Sequence, residues 1–322
     1  MGDFMQIFSA TLLQLLALVM ALALAPLLTG WVNQCRSWLQ NRTAPPLLLP
    51  YYQIAKLFEK EAVLAHNASS VFRYAPYIIF ACMALASTIV PTVSTALPLG
   101  PAADAIALVG IFALARVFIA LAGMDIGTSF GSLGARREML VGFLAEPALL
   151  MVFFTTSLIS HSTSLSTIVE TLAHREFAIY PSLAFAGVAF TMVSLAENAR
   201  VPVDNPATHL ELTMIHEAMI LEYSGRHLAL IEWAASLKLY VYSCLGLALF
   251  FPWGIPEGAE FAMLPVALLS LLVKLCIGGF LLAIIETVSA KMRIFRAPEF
   301  LGTAFLMAVL AMLVHLLLET GK

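Results

Sequence analysis

Long apolar stretches recur from one end of the chain to the other and alternate with short polar stretches. Runs of about 20 apolar residues match the hydrocarbon thickness of a bilayer, where only helices or closed barrels satisfy the backbone. These runs are too long and too continuous for barrel strands. We therefore predict eight transmembrane helices, near residues 4–32, 74–97, 103–124, 138–160, 180–197, 227–253, 261–288 and 300–318.

Composition supports the same class of protein. Of the 322 residues 61% are hydrophobic and 11% are charged, and the mean hydropathy is +0.92. A net charge of −3 offers no basic excess to bind phosphates, so a nucleic-acid partner is excluded. No repeat of 20 to 50 residues and no soluble segment is visible, so we predict an all-α polytopic protein with residues 1–322 as one integral membrane domain.

The basic residues between the predicted helices fall almost entirely on one side. Twelve of them share that side: Arg36, Arg42, Lys56, Lys60, Arg73, Arg136, Arg137, Arg200, Arg226, Lys291, Arg293 and Arg296. Only Arg175 and Lys322 fall on the other side. By the positive-inside rule the twelve lie in cytoplasmic loops, which places both chain termini outside. In the first of these loops, the stretch IAKLFEKEAVL (residues 54–64) predicts a short amphipathic helix at the membrane interface.

Charged residues also fall within the predicted membrane helices, namely Arg116, Glu146, Glu232, Lys238, Lys274 and Glu286, and Glu197 closes the fifth of them. Each costs roughly 2.5 to 3.5 kcal/mol near a helix centre on insertion scales, so they should meet one another or water. Glu146 lies eight residues after Glu138, about 12 Å along the helix, which places a carboxyl inside the hydrocarbon layer. A chain of such groups predicts a proton relay. The alternative is that each acid pairs statically with Arg116, Lys238 or Lys274 and only fixes helix packing.

The stretch AENARVPVDNPATHLELTMIHEAMILEYSG (residues 196–225) is unusually rich in charge. Asn205 is a favourable N-cap, Pro206 suits the first helical position, and no breaker follows, so we predict a helix of about four turns over residues 207–221. Glu211 and Glu222 would share one face of this helix and be buried against the membrane core.

Histidine and cysteine patterns give no metal site. His209 and His216, seven residues apart, would share the opposite face of the predicted helix, where the solvated surface of a loop helix is the favoured interpretation. Neither has an i, i+4 partner or a third ligand nearby in sequence. The four cysteines form no CxxC pair that could bind zinc, haem or an iron–sulfur cluster. We expect no cofactor in this chain.

The same charged stretch resembles a known family. ENARVPVDNPATHLEL followed by LEYSG is similar to the signature of the H-type membrane subunits of complex I, approximately ETNRxPFDLxExExEL and then EYSG. The matching positions are Glu197, Arg200, Pro202, Asp204, Glu211, Glu222, Tyr223, Ser224 and Gly225. Ala207 and His209 stand where quinone-using members carry acids, and the spacing from Leu212 to EYSG is three residues longer. With GMDIGTSFGSLGARREMLVGFLAEP (residues 123–147), these features more closely resemble the membrane subunit of energy-converting group 4 nickel–iron hydrogenases, of the formate hydrogenlyase subunit 4 or hydrogenase-4 component C type.

The resemblance implies a non-catalytic subunit of an oxidoreductase complex in a bacterial or archaeal cell membrane. Hydrogenase large and small subunits, carrying the nickel–iron site and iron–sulfur clusters, would dock on the cytoplasmic loops, with antiporter-like membrane subunits alongside. The proton pathway would use Glu146, Glu197, Glu211, Glu222, Glu232, Lys238, Lys274 and Glu286. The docking face and its cavity would be shaped by Arg116, Asp125, Arg137, Arg200, Asp204 and Tyr223.

Three other functions remain open at the level of sequence. A quinone-binding H-type subunit of a complex I-like NADH:quinone oxidoreductase would hold quinone between the first helix, the amphipathic helix and the loop of residues 196–225. A stand-alone secondary transporter would also explain buried charges, but it predicts an internal repeat with broken helices. A purely structural anchor would explain the docking loops and leave the buried acids without a role.

Overall fold

A computed structural model describes residues 2–96, 98, 104–174, 181–204, 214–256, 263–290, 292 and 296–319. Within these ranges the secondary structure consists of helices and loops, and the all-α prediction is confirmed. The helices are α1 (Gly2–Leu39), α2 (Leu49–Glu59), α3 (Ser70–Ile89), α4 (Ala105–Asp125), α5 (Ser129–Ser160), α6 (Leu165–His174), α7 (Pro181–Glu197), α8 (His216–Ile220), α9 (Gly225–Phe250), α10 (Leu264–Val288) and α11 (Ala297–Val314). A π-helical turn, His315–Glu319, continues α11.

Eight of the described helices correspond to the eight predicted spans. Seven are long and apolar enough to cross a membrane, namely α1, α3, α4, α5, α9, α10 and α11. The other is α7, an apolar helix of 17 residues, or about 26 Å at 1.5 Å per residue, near the lower limit for a crossing. The chain is therefore a polytopic membrane protein.

Successive crossings run in opposite directions, which sorts the connections to two ends of the bundle. One end carries Arg36, Arg73, Arg136, Arg200 and Arg226, and we call it the basic end. The opposite end is held together by backbone hydrogen bonds between loops, from the Thr95 amide to the Pro256 carbonyl (3.3 Å) and from the Ala105 amide to the Thr163 carbonyl (3.1 Å).

Helix α5 lies at the centre of the bundle, in contact with α4, α7 and α11, while α3 packs between α4 and α9, and α10 rests on α1. Small residues permit these close approaches. On α11 the buried positions are Ala297, Leu301, Ala304, Ala308 and Ala311, spaced alternately by four and three residues. Alanine at four of five inward positions lets α11 lie close against α5 and α7.

The amphipathic helix is shifted relative to its predicted range. It spans Leu49–Glu59 rather than residues 54–64, because Pro50 suits the first turn and the chain leaves the helix at Lys60. Beyond it, the Val63 amide donates to the Ser224 hydroxyl and the Val63 carbonyl accepts from it, both at 2.9 Å. Because both backbone groups of Val63 are bonded to Ser224, they cannot take part in the hydrogen bonds of a longer α2.

Within its described part, the predicted helix over residues 207–221 is confirmed only over His216–Ile220. Residues 205–213, with Glu211 and His209, lie outside the described residues, whereas Met214 and Ile215 are not helical and α8 begins only at His216. The Asp204 carboxylate accepts the backbone N–H groups of Ile215 and His216, each at 3.3 Å. This buried acceptor fixes the start of α8, a tertiary contact that local helix propensity does not anticipate.

Candidate functional site

The centre of the site is an arginine that crosses one face of α5. Glu138, Gly142 and Glu146 are spaced four residues apart and therefore share that face. Arg116 of α4 lies over Gly142, where an added Cβ would come within 2.4 Å of its Nη1. Its Nε is 3.5 Å from Glu138 Oε1, and its Nη1 hydrogen-bonds Glu146. Glycine at position 142 makes the room for this bridge between two carboxylates.

Two further helices complete the group. The second guanidinium nitrogen of Arg116 hydrogen-bonds Glu197 at the end of α7. The other carboxylate oxygen of Glu197 is 2.9 Å from Nζ of Lys238 on α9. We call these five side chains the Arg116 cluster: Arg116, Glu138, Glu146, Glu197 and Lys238. It joins α4, α5, α7 and α9 through their charged groups.

Burial within the Arg116 cluster is uneven. The side chains of Arg116 and Glu197 are 3% and 2% exposed, whereas that of Glu146 is 32% exposed. Three carboxylates face two cations, so the ionised cluster carries one excess negative charge in a medium of low dielectric constant. A proton is the simplest charge that can balance this excess, and the cluster is therefore suited to bind and release one.

Three cavities lead from the basic end towards the Arg116 cluster. The outer cavity, about 420 Å³, lies between α1, α2 and α9 and is lined by Thr29, Asn33, Lys56 and Glu232 among others. The middle cavity, about 210 Å³, shares Thr29, Asn33 and Glu232 with it, so the two adjoin. The inner cavity, about 40 Å³, reaches Arg116, Glu138 and Lys238. Since one water needs roughly 10–15 Å³, even the inner cavity has room for water.

His216 stands at the boundary between the middle and inner cavities. The two cavities share Ile231, Ala235 and His216 as lining residues. Burial lowers the pKa of His216, with the charges of Glu138 and Asp204 acting in the opposite direction. His216 is half-buried and lines both cavities, rather than lying on the fully solvated surface that the sequence favoured.

A second group of charged residues, Glu286 with Arg36 and Arg200, lies beside the middle cavity, which the two arginines line. The carboxylate of Glu286, near the end of α10, lies 3.0 Å from Arg200 and 3.6 Å from Arg36, and its side chain is 1% exposed. Together these contacts tie α1 and α10 to the loop after α7. The Met292 amide adds a 2.9 Å hydrogen bond to the Pro202 carbonyl of that loop.

The remaining predicted docking residues hold loops of the basic end in place. Asp125 accepts the Ser69 amide at 2.8 Å, and Arg137 donates to the Met214 carbonyl at 2.9 Å. The hydroxyl of Tyr223 donates to the Phe72 carbonyl at 2.9 Å, and its ring stacks on that of Phe72 with centroids 3.9 Å apart. Burial raises the pKa of Tyr223, so the hydroxyl remains a protonated donor.

The structure separates some residues of the predicted proton pathway from the others. Lys274 donates to the carbonyls of Phe251 (2.7 Å) and Trp253, which lie just beyond the C-terminus of α9. Its positive charge interacts favourably with the partial negative charge at that helix end. Glu222 is exposed at the basic end, so its expected burial is wrong, and Glu211 lies outside the described residues. Glu232 lines the outer and middle cavities. Their roles in proton transfer stay predictions.

Sequence reasoning missed two parts of this site. Glu138 served only as a marker along the helix, although its spacing from Gly142 and Glu146 places all three on one face. That spacing was the available signal for both Glu138 and Gly142. The position of His216 at a cavity boundary had no comparable signal, because it depends on how α8 packs against α4 and α5.

The bundle of apolar helices around a buried ion cluster defines a polytopic membrane protein, and comparison with known proteins gives its family. The chain belongs to the NADH dehydrogenase family, whose model matches residues 11–317. It is 32% identical to formate hydrogenlyase subunit 4 of Escherichia coli (strain K12) over 94% of this chain and 97% of that protein. It is also 32% identical to hydrogenase-4 component C of the same organism, over 91% of this chain and 92% of that protein. The chain is thus a membrane oxidoreductase complex subunit related to these two proteins.

More distant relatives agree with this placement. The H-type subunit of NADH-quinone oxidoreductase from Rickettsia bellii (strain OSU 85-389) is 28% identical over 57% of this chain and 54% of that protein. The same fold occurs in a chain of the membrane-bound sulfane sulfur reductase, an archaeal respiratory membrane complex, with a TM-score of 0.81 and 17% identity. That match covers 97% of this chain and 99% of the other. The resemblance drawn from the sequence motifs is confirmed.

Proposed function

We propose that this chain is the membrane anchor and proton-coupling subunit of a membrane-bound nickel–iron hydrogenase complex of the formate hydrogenlyase type. Redox chemistry takes place in a soluble module docked at the basic end, and this subunit passes protons between that end and the membrane interior. The chain itself is non-catalytic and holds no cofactor. The two relatives at 32% identity support the type of complex, since one is a formate hydrogenlyase subunit and the other a hydrogenase-4 component.

The observation that carries the proposal is the Arg116 cluster at the inner end of three adjoining cavities. Buried ion pairs are weak devices for stability, because well-packed apolar residues of the same volume often do as well or better. Five ionisable groups drawn from four membrane helices therefore call for a functional reason. An excess carboxylate connected to the basic end by cavities that can hold water provides one, since it can exchange a proton with that end.

Charge that arrives at the basic end changes the proton affinity of the carboxylates near it, and this electrostatic effect couples redox chemistry to proton transfer. A negative charge arriving at the basic end raises the proton affinity of nearby carboxylates, and its removal lowers that affinity again. The two sites then affect each other by the same free energy, as linkage requires. Electron transfer in the docked module would in this way drive proton uptake and release at the Arg116 cluster.

The exposed part of the cluster indicates where the proton leaves. Glu146 has a side chain 32% exposed on a membrane-spanning helix, in a region where an ionised carboxylate facing lipid is costly. A neighbouring membrane subunit of the antiporter-like type would cover this carboxylate and receive its proton. The hydrogenase large and small subunits would occupy the basic end, in a cell membrane with that end in the cytoplasm.

Replacing Glu146 by glutamine tests this function in the intact complex. Glutamine keeps an oxygen that can accept from Arg116, so assembly should be preserved, but it cannot carry a proton. We expect proton translocation per redox turnover, measured in membrane vesicles, to be lost or strongly reduced. Glu170→Gln on α6, at the opposite end of the bundle, is the matched control and should behave as the unmodified complex. Unchanged translocation in Glu146→Gln would reject the relay.

One observation favours a second function, the binding of a quinone. The outer cavity lies between α1, α2 and α9, and two of these, α1 and α2, belong to the quinone site named from sequence; its volume of about 420 Å³ is within the range of small-molecule sites. A quinone-using complex would be inhibited by quinone analogues that compete at this cavity. A hydrogenase-type complex would carry out its redox reaction without quinone and without such inhibition.

A further inference from the structure

The passage from the middle cavity to the Arg116 cluster is narrow, and its lining identifies the group that could carry a proton through it. The two cavities on either side share three lining side chains, and two of these, Ile231 and Ala235, are hydrocarbon. The third is His216. Among the described residues shared by both linings, it alone has an ionisable side chain.

We infer that His216 is the proton-transfer group between the water-accessible cavities at the basic end and the Arg116 cluster. The inference rests on the proposed function and deepens it by naming the step at which protons reach the cluster. Imidazole suits this step because its two nitrogens can accept a proton on one side and release one on the other.

The proton balance is simple. One ring nitrogen of His216 accepts a proton from water in the middle cavity, giving imidazolium. The other nitrogen then releases its proton towards the inner cavity, directly or through one water, to the Glu138 carboxylate. The ring returns to the neutral state as the other tautomer, and rotation about the Cβ–Cγ bond then turns its protonated nitrogen towards the inner cavity and its bare nitrogen towards the middle cavity, ready for the next proton. No bond other than those to the transferred protons is formed or broken.

Charges on the elements around α8 bear on this histidine, and Arg116 of α4 lines the inner cavity together with it. Glu138 of α5 and Asp204 of the loop after α7 favour the protonated ring, while Lys238 of α9 and burial oppose it. Glu217 on the same helix and Glu232 of α9 line the middle cavity beside it. Burial outweighs the two carboxylates, so the net effect is a lowered pKa of the ring.

The backbone around His216 is fixed from two sides, which sets the ring between the cavities. The His216 amide donates to Asp204 at 3.3 Å, and the preceding Met214 carbonyl accepts from Arg137 at 2.9 Å. On α5, Gly134 allows close approach, since a Cβ there would lie 2.8 Å from the Ile215 carbonyl oxygen. A side-chain replacement at position 216 therefore leaves the path of the backbone in place.

The test uses three variants in the intact membrane complex: His216→Gln, His216→Leu and His216→Ala. Glutamine keeps polarity and leucine keeps bulk, but neither carries a proton. We expect coupled proton transfer to fall on the order of 100-fold in all three, the lower end of what a positioned proton-transfer group contributes. Redox activity of the docked module with an artificial electron acceptor should be unchanged. His66→Ala, at an exposed position of the same end, is the control.

Imidazole added to His216→Ala separates proton transfer from packing. The ring site opens onto the middle cavity, so free imidazole can reach it. We expect imidazole to restore transfer in this variant, with a rate that depends on the pKa of substituted imidazoles, and not in the leucine variant. Normal transfer in His216→Leu or His216→Gln overturns the inference, and so does a loss in His216→Ala that imidazole does not restore.

The outcome for Glu146→Gln distinguishes this inference from the function on which it rests. If Glu146→Gln loses coupling while the His216 variants keep it, the subunit transfers protons but by another route from the basic end. If all of these variants keep normal coupling, the proposed function itself fails.

Discussion

At the scale of single residues, the site depends on one glycine as much as on its charged groups. Arg116 reaches Glu138, Glu146 and Glu197 only because Gly142 presents no side chain beneath its guanidinium. The cost of burying this arginine is offset by three carboxylates, each of which also needs the arginine. A larger side chain at position 142 should therefore weaken all three contacts of Arg116 together.

Gly142→Ala should displace the guanidinium, since the new Cβ would lie 2.4 Å from Nη1 and 2.6 Å from Cδ. We expect a loss of about 1–3 kcal/mol in stability, as for overpacking elsewhere, and impaired proton coupling. Thermal unfolding of the detergent-solubilised complex measures the first effect. Gly110→Ala on α4 is the control, because its Cβ would meet nothing within 4 Å and alanine favours the helix. Equal stability of the two variants would contradict the geometry.

At the scale of elements, the short helices α2 and α8 determine access to the site. Helix α2 forms one wall of the outer cavity, and α8 separates the middle and inner cavities through His216. Neither crosses the membrane, and both are held by specific polar contacts. The position of α2 depends on a close approach to α1, where the Leu47 carbonyl oxygen rests against Gly30.

Gly30→Ala should push α2 away from α1, because a Cβ at position 30 would lie 2.1 Å from the Leu47 carbonyl oxygen, a backbone atom that cannot rotate aside. We expect the segment of residues 42–60 to be cleaved more rapidly in limited proteolysis. Gly278→Ala on α10, with open space around its Cβ, should be cleaved as the unmodified protein is. A cleavage rate in Gly30→Ala equal to that of this control would show that the contact does not hold α2.

At the scale of the whole molecule, the bundle has one basic end with all three cavities near it and one end with few charges. An even number of crossings brings both described chain ends to the second of these. The positive-inside rule then predicts that the basic end, and with it the proposed redox module, faces the cytoplasm.

Labelling from one side of the membrane tests this orientation. Replacing exposed Thr163, at the end opposite the basic one, by cysteine should allow reaction with an impermeant maleimide added outside intact cells. Replacing exposed Glu59 on α2 by cysteine should allow reaction only after the cells are opened. The unmodified protein gives the background from Cys276, the exposed native cysteine. The reverse pattern of labelling would invert the proposed orientation.

Sequence alone is enough to establish the membrane class, the approximate positions of the eight predicted spans and the family. Each of these follows from features that are local in the chain: apolar runs of sufficient length, and the motifs ENARVPVDNPATHLEL and LEYSG. It also identified the charged residues Arg116, Glu146, Glu197 and Lys238 as unsuited to lipid, because that cost depends only on residue type and depth.

Which of these charges meet depends on how the helices pack. Arg116 and Lys238 contact Glu197, whereas Lys274 lies with the carbonyls beyond α9, although its sequence setting is equally apolar. The start of α8 was likewise set by the Asp204 carboxylate from another segment, against the local preference for a longer helix. Apolar length fixes where a helix crosses the membrane, but the rotation and neighbours of each helix depend on side chains distant in sequence. The pairing of buried charges and the course of a cavity depend on that rotation.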